Sequence, residues 1–175
     1  LCSKLMISII ENRKPVIAKV HGAAYAAGCQ LVASCDLAIS SNDASFATPG
    51  VNIGLFCSTP MVAVSRKVNK KRMMKMLFTG EPVSARLAKE IGLINSYYKK
   101  SLLDKEVIKL AKKIASKSNK VITIGKTAFY KQLEMPLKKA YTYTSKVMSQ
   151  NMMMYDAKEG ISAFIEKRSP KWKNK

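Results

Sequence analysis

Residues 21–31 read HGAAYAAGCQL, and this stretch decides the fold of the chain. It follows an apolar run at 16–20 that predicts a buried strand, and it leads into a helical pattern at 26–35. A strand, a turn of small residues and a helix start let a ligand approach bare backbone. The first N–H groups of a helix have no partner within it, so they can stabilise a carbonyl oxygen that gains negative charge.

Five segments, in this order along the chain, resemble the crotonase superfamily, also called the enoyl-CoA hydratase/isomerase family. Residues 28–36 and 45–57 are most similar to one branch of it. The five segments are residues 13–18 (RKPVIA), 21–31, 46–54 (FATPGVNIG), 78–85 (FTGEPVSA) and 159–168 (EGISAFIEKR).

The resemblance implies an α/β fold with a ClpP-like ββα spiral core and a C-terminal helical trimerisation region. We place the C-terminal part of the core at residues 1–100 and the helical region at 101–175. The family's early strands, one oxyanion donor, much of the adenine pocket and any targeting segment are then expected outside this chain.

The resemblance also implies site residues. In the family, a Gly-rich turn supplies one of two oxyanion-hole N–H groups for an acyl-CoA thioester, and the matching N–H is that of Ala27. The hydratases hold their reacting water with two glutamates, whose positions are occupied here by Gln30 and Gly50. An amide cannot accept a proton from water at neutral pH, and glycine has no side chain to offer. We therefore predict an oxyanion site without the hydratase acid/base pair.

Coenzyme A contacts are expected in the last helix. In the family, an aromatic residue there lies by the adenine and a lysine meets a phosphate, both from a neighbouring subunit. The matching residues are Phe164 and Lys167, whose i, i+3 spacing would place them on one helix face. The resemblance implies a homotrimer or dimer of trimers, a mitochondrial location, a CoA thioester as ligand and no covalently bound cofactor.

Three functions remain open. The first is an acyl-CoA-handling protein of fatty-acid metabolism that is not a standard hydratase. The second is a non-catalytic acyl-CoA binder or assembly subunit. The third, an RNA-binding member of the family, is motivated by the net charge of +20 alone. Because the lysines are scattered and no aromatics alternate with them as stacking platforms, we rank a solvated surface first, attraction of CoA second and nucleic acid third.

Other features exclude further classes of function. No apolar run approaches the roughly 20 residues of a membrane span, so no membrane partner is expected. The four cysteines form no CxxC pair, and the chain has one histidine, so we expect no metal site. Buried free thiols are predicted instead, although Cys57 could contact substrate. For His21, we rank a role as a turn residue above a role as a general base.

The remaining pattern predicts strands at 36–40, 45–47 and 93–98, and a capping box of Asp156 and Glu159 at the start of the last helix. The helices are predicted at 70–78, 84–91, 102–116, 121–133, 136–153 and 156–168.

Overall fold

The structure, a computed structural model, describes residues 2–175. Two compact units divide the chain, one of residues 2–12 and 16–111 and the other of residues 13–15 and 112–175. In chain order the elements are α1 Cys2–Glu11, β1 Ile17–Val20, β2 Ala23–Tyr25, α2 Ala27–Ser34, β3 Leu37–Ser41, β4 Ser45–Ala47, a 3-10 turn Pro49–Ile53, α3 Ser58–Val64, α4 Lys70–Thr79, β5 Val83–Ser84, α5 Ala85–Glu90, β6 Ser96–Tyr98, α6 Lys100–Ala115, α7 Asn119–Leu133, α8 Leu137–Met152 and α9 Tyr155–Ile165.

The first unit contains two three-stranded sheets, and most strands that follow one another along the chain belong to different sheets. One sheet has the order β1-β3-β6 and is parallel throughout; the other has the order β2-β4-β5, with β2 and β4 parallel and β5 antiparallel. The first two repeats, β1-β2-α2 and β3-β4-α3, each give one strand to each sheet before the helix, whereas in the third the helix α5 lies between β5 and β6. This is the ββα spiral that the resemblance predicted.

The core of this unit is built from small and medium side chains. Phe46 and Val64 are completely buried, and the core also contains Ala33, Ala38, Ala85 and Ala88. Close packing of this kind leaves little room for extra atoms. This densely packed core therefore supports the backbone of the turn between β2 and α2.

Capping residues lie at both ends of α4 and at the start of α5. Asn69 and Ser84 accept hydrogen bonds from the first turns of α4 and α5, as N-cap residues do. Gly80 takes the left-handed conformation after α4, with φ +64°, which costs glycine little because it has no β-carbon.

The second unit consists of residues 13–15, the last residues of α6, the helices α7, α8 and α9, and an extended C-terminal tail. Ser118 caps α7 by accepting a hydrogen bond from the Val121 N–H. Among residues 2–175, no helix has both the length and the apolar character needed to cross a membrane.

The sequence pattern located most elements within a few residues of their observed bounds. Residues 23–25 differ in kind, because they were expected to be part of a turn and instead form β2, paired with β4. The last helix is also shorter than predicted, ending at Ile165 instead of residue 168.

Candidate active site

The candidate site is built on the turn from β2 into α2. Ala26 lies between them with φ 46° and ψ −113°, a backbone conformation that residues with a β-carbon rarely adopt. Two hydrogen bonds hold it there: its N–H donates to the Ala47 carbonyl at 2.9 Å, and its own carbonyl accepts from the Gln30 N–H at 3.0 Å. The strained residue is thus fixed between β4 and the first turn of α2.

Ala27 is the first residue of α2 and is exposed to solvent. Within residues 2–175, its N–H meets no hydrogen-bond acceptor. Helix α2 has no acidic residue in its first turn, so nothing there neutralises the positive end of the helix dipole. An oxygen atom that gains negative charge beside this N–H would be stabilised by both effects.

Gln30 lies in the second turn of α2 and is buried, with 4% of its surface exposed. Its side-chain oxygen lies 3.7 Å from the Sγ of Cys2, which is placed to donate to it. Because the side chain is an amide, it can orient a polar group but cannot act as a general base at neutral pH.

Gly50, which the resemblance places at the second glutamate position, lies in the 3-10 turn and closely contacts the chain that follows. Its N–H donates to the Sγ of Cys57 at 3.3 Å. A β-carbon built on Gly50 would lie 2.7 Å from the Leu55 carbonyl oxygen and 3.0 Å from the Cys57 Sγ. The loop therefore has no room for any side chain here, so substituting Gly50 by glutamate would have to move the Leu55 backbone.

No carboxylate is supplied by the neighbouring sequence either. Residues 16–35 and 44–80 contain neither Asp nor Glu. Among residues 2–175, no group of three or more His, Cys, Asp or Glu side chains could hold a metal ion.

Within residues 2–175, none of the four cysteines forms a disulfide bond. Cys29, Cys35 and Cys57 are buried as predicted, whereas Cys2 is exposed, so the prediction of burial is wrong for Cys2. Burial, and to a smaller extent nearby Cys57, raise the pKa of Cys29 to about 12. Its thiol therefore stays protonated and unreactive at neutral pH.

His21 is exposed between β1 and β2. A hydrogen bond from Lys19 lowers the pKa of Asp104, and the charge interaction with His21 acts in the same direction. His21 therefore lies near Asp104 and belongs to a surface charge cluster, which agrees with its interpretation as a turn residue.

Phe164 and Lys167 lie in the second unit and do not share a helix face. Phe164 is in the last turn of α9 and is 84% exposed. Lys167 lies beyond the helix end with φ 55°, where the Arg168 N–H bonds back to the Ala163 carbonyl at 3.0 Å. The expectation of a common face is wrong, because α9 ends at Ile165 and Lys167 itself has the left-handed conformation that follows a helix end.

Phe164 also lines an open, largely apolar pocket of about 560 Å³ within the second unit. Met148, Met152, Ile161 and Trp172 are among the other residues around it. No periodicity points to Trp172 at this pocket, because the residue lies outside the helices and reaches the pocket through the fold of the tail.

The predicted capping box is also wrong, because Asp156 and Glu159 hold the C-terminal tail instead. Asp156 accepts hydrogen bonds from the Ser118 hydroxyl and from the N–H groups of Lys173 and Asn174. Burial of Asp156 opposes ionisation, but these hydrogen bonds outweigh it and lower the pKa of Asp156.

Glu159 binds the tail at a second point. It accepts two hydrogen bonds from the Arg168 guanidinium, at 2.6 and 3.0 Å, and one from the Lys171 N–H at 2.7 Å. The hydrogen bonds from Arg168, followed by that from Lys171, lower the pKa of Glu159 to about 2.

The comparison with known families now decides the identity of the fold. A sequence model of the enoyl-CoA hydratase/isomerase family matches residues 2–175. The chain belongs to this family. The match confirms the resemblance carried by the five sequence segments.

Curated relatives show to which branch of the family the chain is most similar. The human protein named enoyl-CoA hydratase domain-containing protein 3, mitochondrial, is 53% identical over 171 residues, which are 98% of this chain and 56% of the human protein. The rat protein of that name is 52% identical, with 98% and 57% covered. The branch indicated by residues 28–36 and 45–57 is thus confirmed, and the chain spans little more than half the length of these relatives.

Solved structures confirm the crotonase fold. The crystal structure of human enoyl-CoA hydratase domain-containing protein 3 matches with a TM-score of 0.95 at 53% identity, covering 98% of this chain and 68% of that one. An enoyl-CoA hydratase from Mycobacterium smegmatis matches with a TM-score of 0.96 at 49% identity, covering 98% and 66%.

Proposed function

We propose that this protein binds an acyl-CoA thioester and polarises its carbonyl oxygen with the Ala27 N–H, without acting as a standard enoyl-CoA hydratase. The observation that carries the proposal is the exposed Ala27 N–H, which meets no acceptor in residues 2–175. The same site has an amide at Gln30 and a closed backbone at Gly50 in place of two carboxylates.

The chemistry that such a site supports follows from its donors. An N–H aimed at a thioester oxygen stabilises the enolate or oxyanion that forms when charge moves onto that oxygen, and one such donor is typically worth about 10²–10³ in rate. Proton transfer to or from water needs a basic group, and Gln30 is not one. The site therefore suits acyl-CoA reactions of fatty-acid metabolism whose proton transfer uses a group outside residues 16–35 and 44–80.

The alternative is a non-catalytic acyl-CoA binder or assembly subunit. The specific observation in its favour is the packing of Gly50, where a β-carbon would meet the Leu55 carbonyl oxygen at 2.7 Å. A loop closed in this way leaves no space for a side chain at position 50, where the second glutamate of the family would lie. Binding would then persist with no turnover of any thioester.

The remaining family properties are part of the same proposal. Residues 1–100 form the C-terminal part of the spiral core, and residues 101–175 form the helical oligomerisation region of a trimer or dimer of trimers. Phe164 and Lys167 contact the CoA of a neighbouring subunit. The names of the relatives support a mitochondrial location.

A panel of CoA thioesters separates these functions. The full-length protein is incubated with saturated, 2-enoyl, 3-enoyl and 3-hydroxyacyl thioesters, and both binding and turnover are followed. We expect binding, with hydration of crotonyl-CoA far below the ordinary enzyme range of about 1–10³ s⁻¹. Hydration within that range would contradict the proposal. A protein that binds none of the thioesters would contradict it as well. Turnover of another thioester would favour the first function, and binding alone would favour the second.

A further inference from the structure

Gln30 carries a buried hydrogen-bond donor that the fold does not use. Only 4% of the residue's surface is exposed, and its side-chain oxygen accepts from the Cys2 thiol, whose Sγ lies 3.7 Å away. The side-chain NH₂ group has no acceptor among residues 2–175. A buried donor without an acceptor costs free energy. The unused NH₂ group therefore indicates that an acceptor arrives with a ligand.

The contact with Cys2 determines which end of the Gln30 amide is free. The oxygen is directed at the thiol, so the nitrogen is the end that remains available. An amide NH₂ group donates hydrogen bonds and does not accept them. The ligand atom that binds to Gln30 is therefore an acceptor, such as a carbonyl oxygen. Cys2 and Gln30 both belong to the first unit.

A second unused donor lies one helical turn away on α2. Ala27 and Gln30 have i, i+3 spacing and share a face of the helix. Side chains on a helix lean toward its N-terminus, so the Gln30 amide extends toward the turn that begins with Ala27. The Ala27 N–H also meets no acceptor in residues 2–175. The two residues are separated by about 4.5 Å along the helix axis.

A ligand that satisfies both donors needs two acceptor oxygens about one helical turn apart. In a 3-oxoacyl thioester, one methylene group joins the two carbonyl carbons, and the two oxygens can span this distance. We propose that the site selects 3-oxoacyl-CoA thioesters, with the C1 oxygen accepting from the Ala27 N–H and the C3 oxygen accepting from the Gln30 NH₂ group. The inference rests on the proposed function, because it requires the thioester carbonyl to bind at Ala27.

A ketone at C3 fits the free donor better than a hydroxyl group does. A ketone oxygen only accepts, whereas a hydroxyl group also brings a proton that needs an acceptor of its own. Residues 16–35 and 44–80 contain no carboxylate that could accept this proton, and the Gln30 oxygen is already directed at Cys2. A 3-hydroxyacyl thioester should therefore bind more weakly than the 3-oxoacyl thioester of the same length.

Matched thioesters test the inference. Acetoacetyl-CoA and butyryl-CoA have acyl chains of equal length and differ only at C3, where the first carries a ketone. The full-length protein should bind acetoacetyl-CoA about tenfold more tightly, which is the effect of one additional neutral hydrogen bond. The affinity for 3-hydroxybutyryl-CoA should lie between the two. Tighter binding of the hydroxyl compound than of the ketone overturns the inference.

Two substitutions at position 30 remove the donor. Gln30→Met has a side chain of similar length without a donor, and Gln30→Glu carries a carboxylate, which does not donate at neutral pH. Both residues are good helix formers. Each variant should lose the preference for acetoacetyl-CoA, and a general loss of affinity cancels because the ratio is taken within one variant. The matched control is Gln150→Met at an exposed position of α8, which should keep the parent's ratio.

Isotope-edited infrared spectra separate this inference from the proposed function. With ¹³C at C3 of acetoacetyl-CoA, the C3 carbonyl frequency should fall on binding to the parent and should not fall in Gln30→Met. With ¹³C at C1, the frequency should fall in both proteins. A C1 shift without a C3 shift, or a ketone preference that persists in both Gln30 variants, overturns the inference and leaves the proposed function standing. A protein that binds none of the thioesters overturns both.

Discussion

The Gly50 N–H donates a hydrogen bond to the Cys57 Sγ at 3.3 Å, and this contact closes the loop of residues 50–57. The thiol is buried, and it occupies space that a β-carbon at position 50 would approach to 3.0 Å. The loop is therefore shaped around glycine at this position. A glutamate introduced at position 50 would have to displace the Leu55 backbone.

The first prediction concerns the stability of this loop. Gly50→Ala should lower the free energy of unfolding by about 1–3 kcal/mol, because the added methyl group must displace the Leu55 backbone in a packed region. Urea unfolding measures the change. The matched control is Gly125→Ala in α7, where a β-carbon meets nothing within 4 Å and helix propensity should raise stability by up to about 1 kcal/mol. A Gly50→Ala variant as stable as the parent would show that the loop yields easily.

The second prediction concerns the strained residue before the oxyanion donor. Ala26 has φ 46°, a region that glycine adopts without steric cost. Ala26→Gly should therefore raise the free energy of unfolding by about 1 kcal/mol, and it should leave acyl-CoA binding unchanged because the Ala27 N–H remains in place. A thermal or urea unfolding curve that shifts toward lower stability would contradict the strain that we assign to Ala26.

Local signals made the turn and the helix predictable, but not the closure of the loop. Small residues after an apolar run, followed by Leu31, Val32 and Cys35 in helical spacing, predict a strand, a turn and a helix start. The Cys57 thiol reaches Gly50 only because residues 50–57 fold back on themselves, and no periodicity in the sequence encodes that return. The pairing of residues 23–25 with β4 was missed for a similar reason, because three residues carry too short a pattern and their partner is distant in sequence.

The C-terminal tail shows a conflict between a local and a tertiary interaction. Asp156 and Glu159 match the spacing of a capping box. The tail offers them backbone N–H groups and a guanidinium, which form charge-assisted hydrogen bonds with both carboxylates. Tertiary partners therefore replace the local cap, and a single sequence contains no signal for that exchange.

The third prediction follows from the lowered pKa of Glu159. Its pKa falls from 4.5 to about 2 in the folded protein. Its stabilising contribution is therefore complete above pH 4.5 and is lost as the pH falls toward about 2. The fluorescence of Trp172, the only tryptophan, should report release of the tail over this window. In Glu159→Gln the acid transition should become shallower, whereas Glu134→Gln, which changes an exposed glutamate of another segment, should behave as the parent.

The fourth prediction separates the two residues expected at the CoA site. Lys167→Glu should weaken CoA binding more at low salt than at high salt, because the interaction with a phosphate is electrostatic and is screened. Phe164→Ala should weaken it with little dependence on salt. Titration of the full-length protein with CoA measures both effects, and sedimentation confirms that the oligomer is intact. Unchanged affinity in both variants would remove this segment from the binding site.

The measurement that tests the central claim most directly is the carbonyl stretching frequency of a bound acyl-CoA whose thioester carbon is labelled with ¹³C. If the Ala27 N–H polarises the carbonyl, the frequency should fall on binding to the parent protein. Ala27→Pro removes this N–H at the first position of α2, and it is made together with Ala26→Gly, because proline clashes with the β-carbon of a preceding residue held at ψ −113°. Relative to Ala26→Gly alone, most of the shift should then disappear while the thioester stays bound. A carbonyl frequency that does not change on binding, or that shifts equally in Ala27→Pro, would contradict the account.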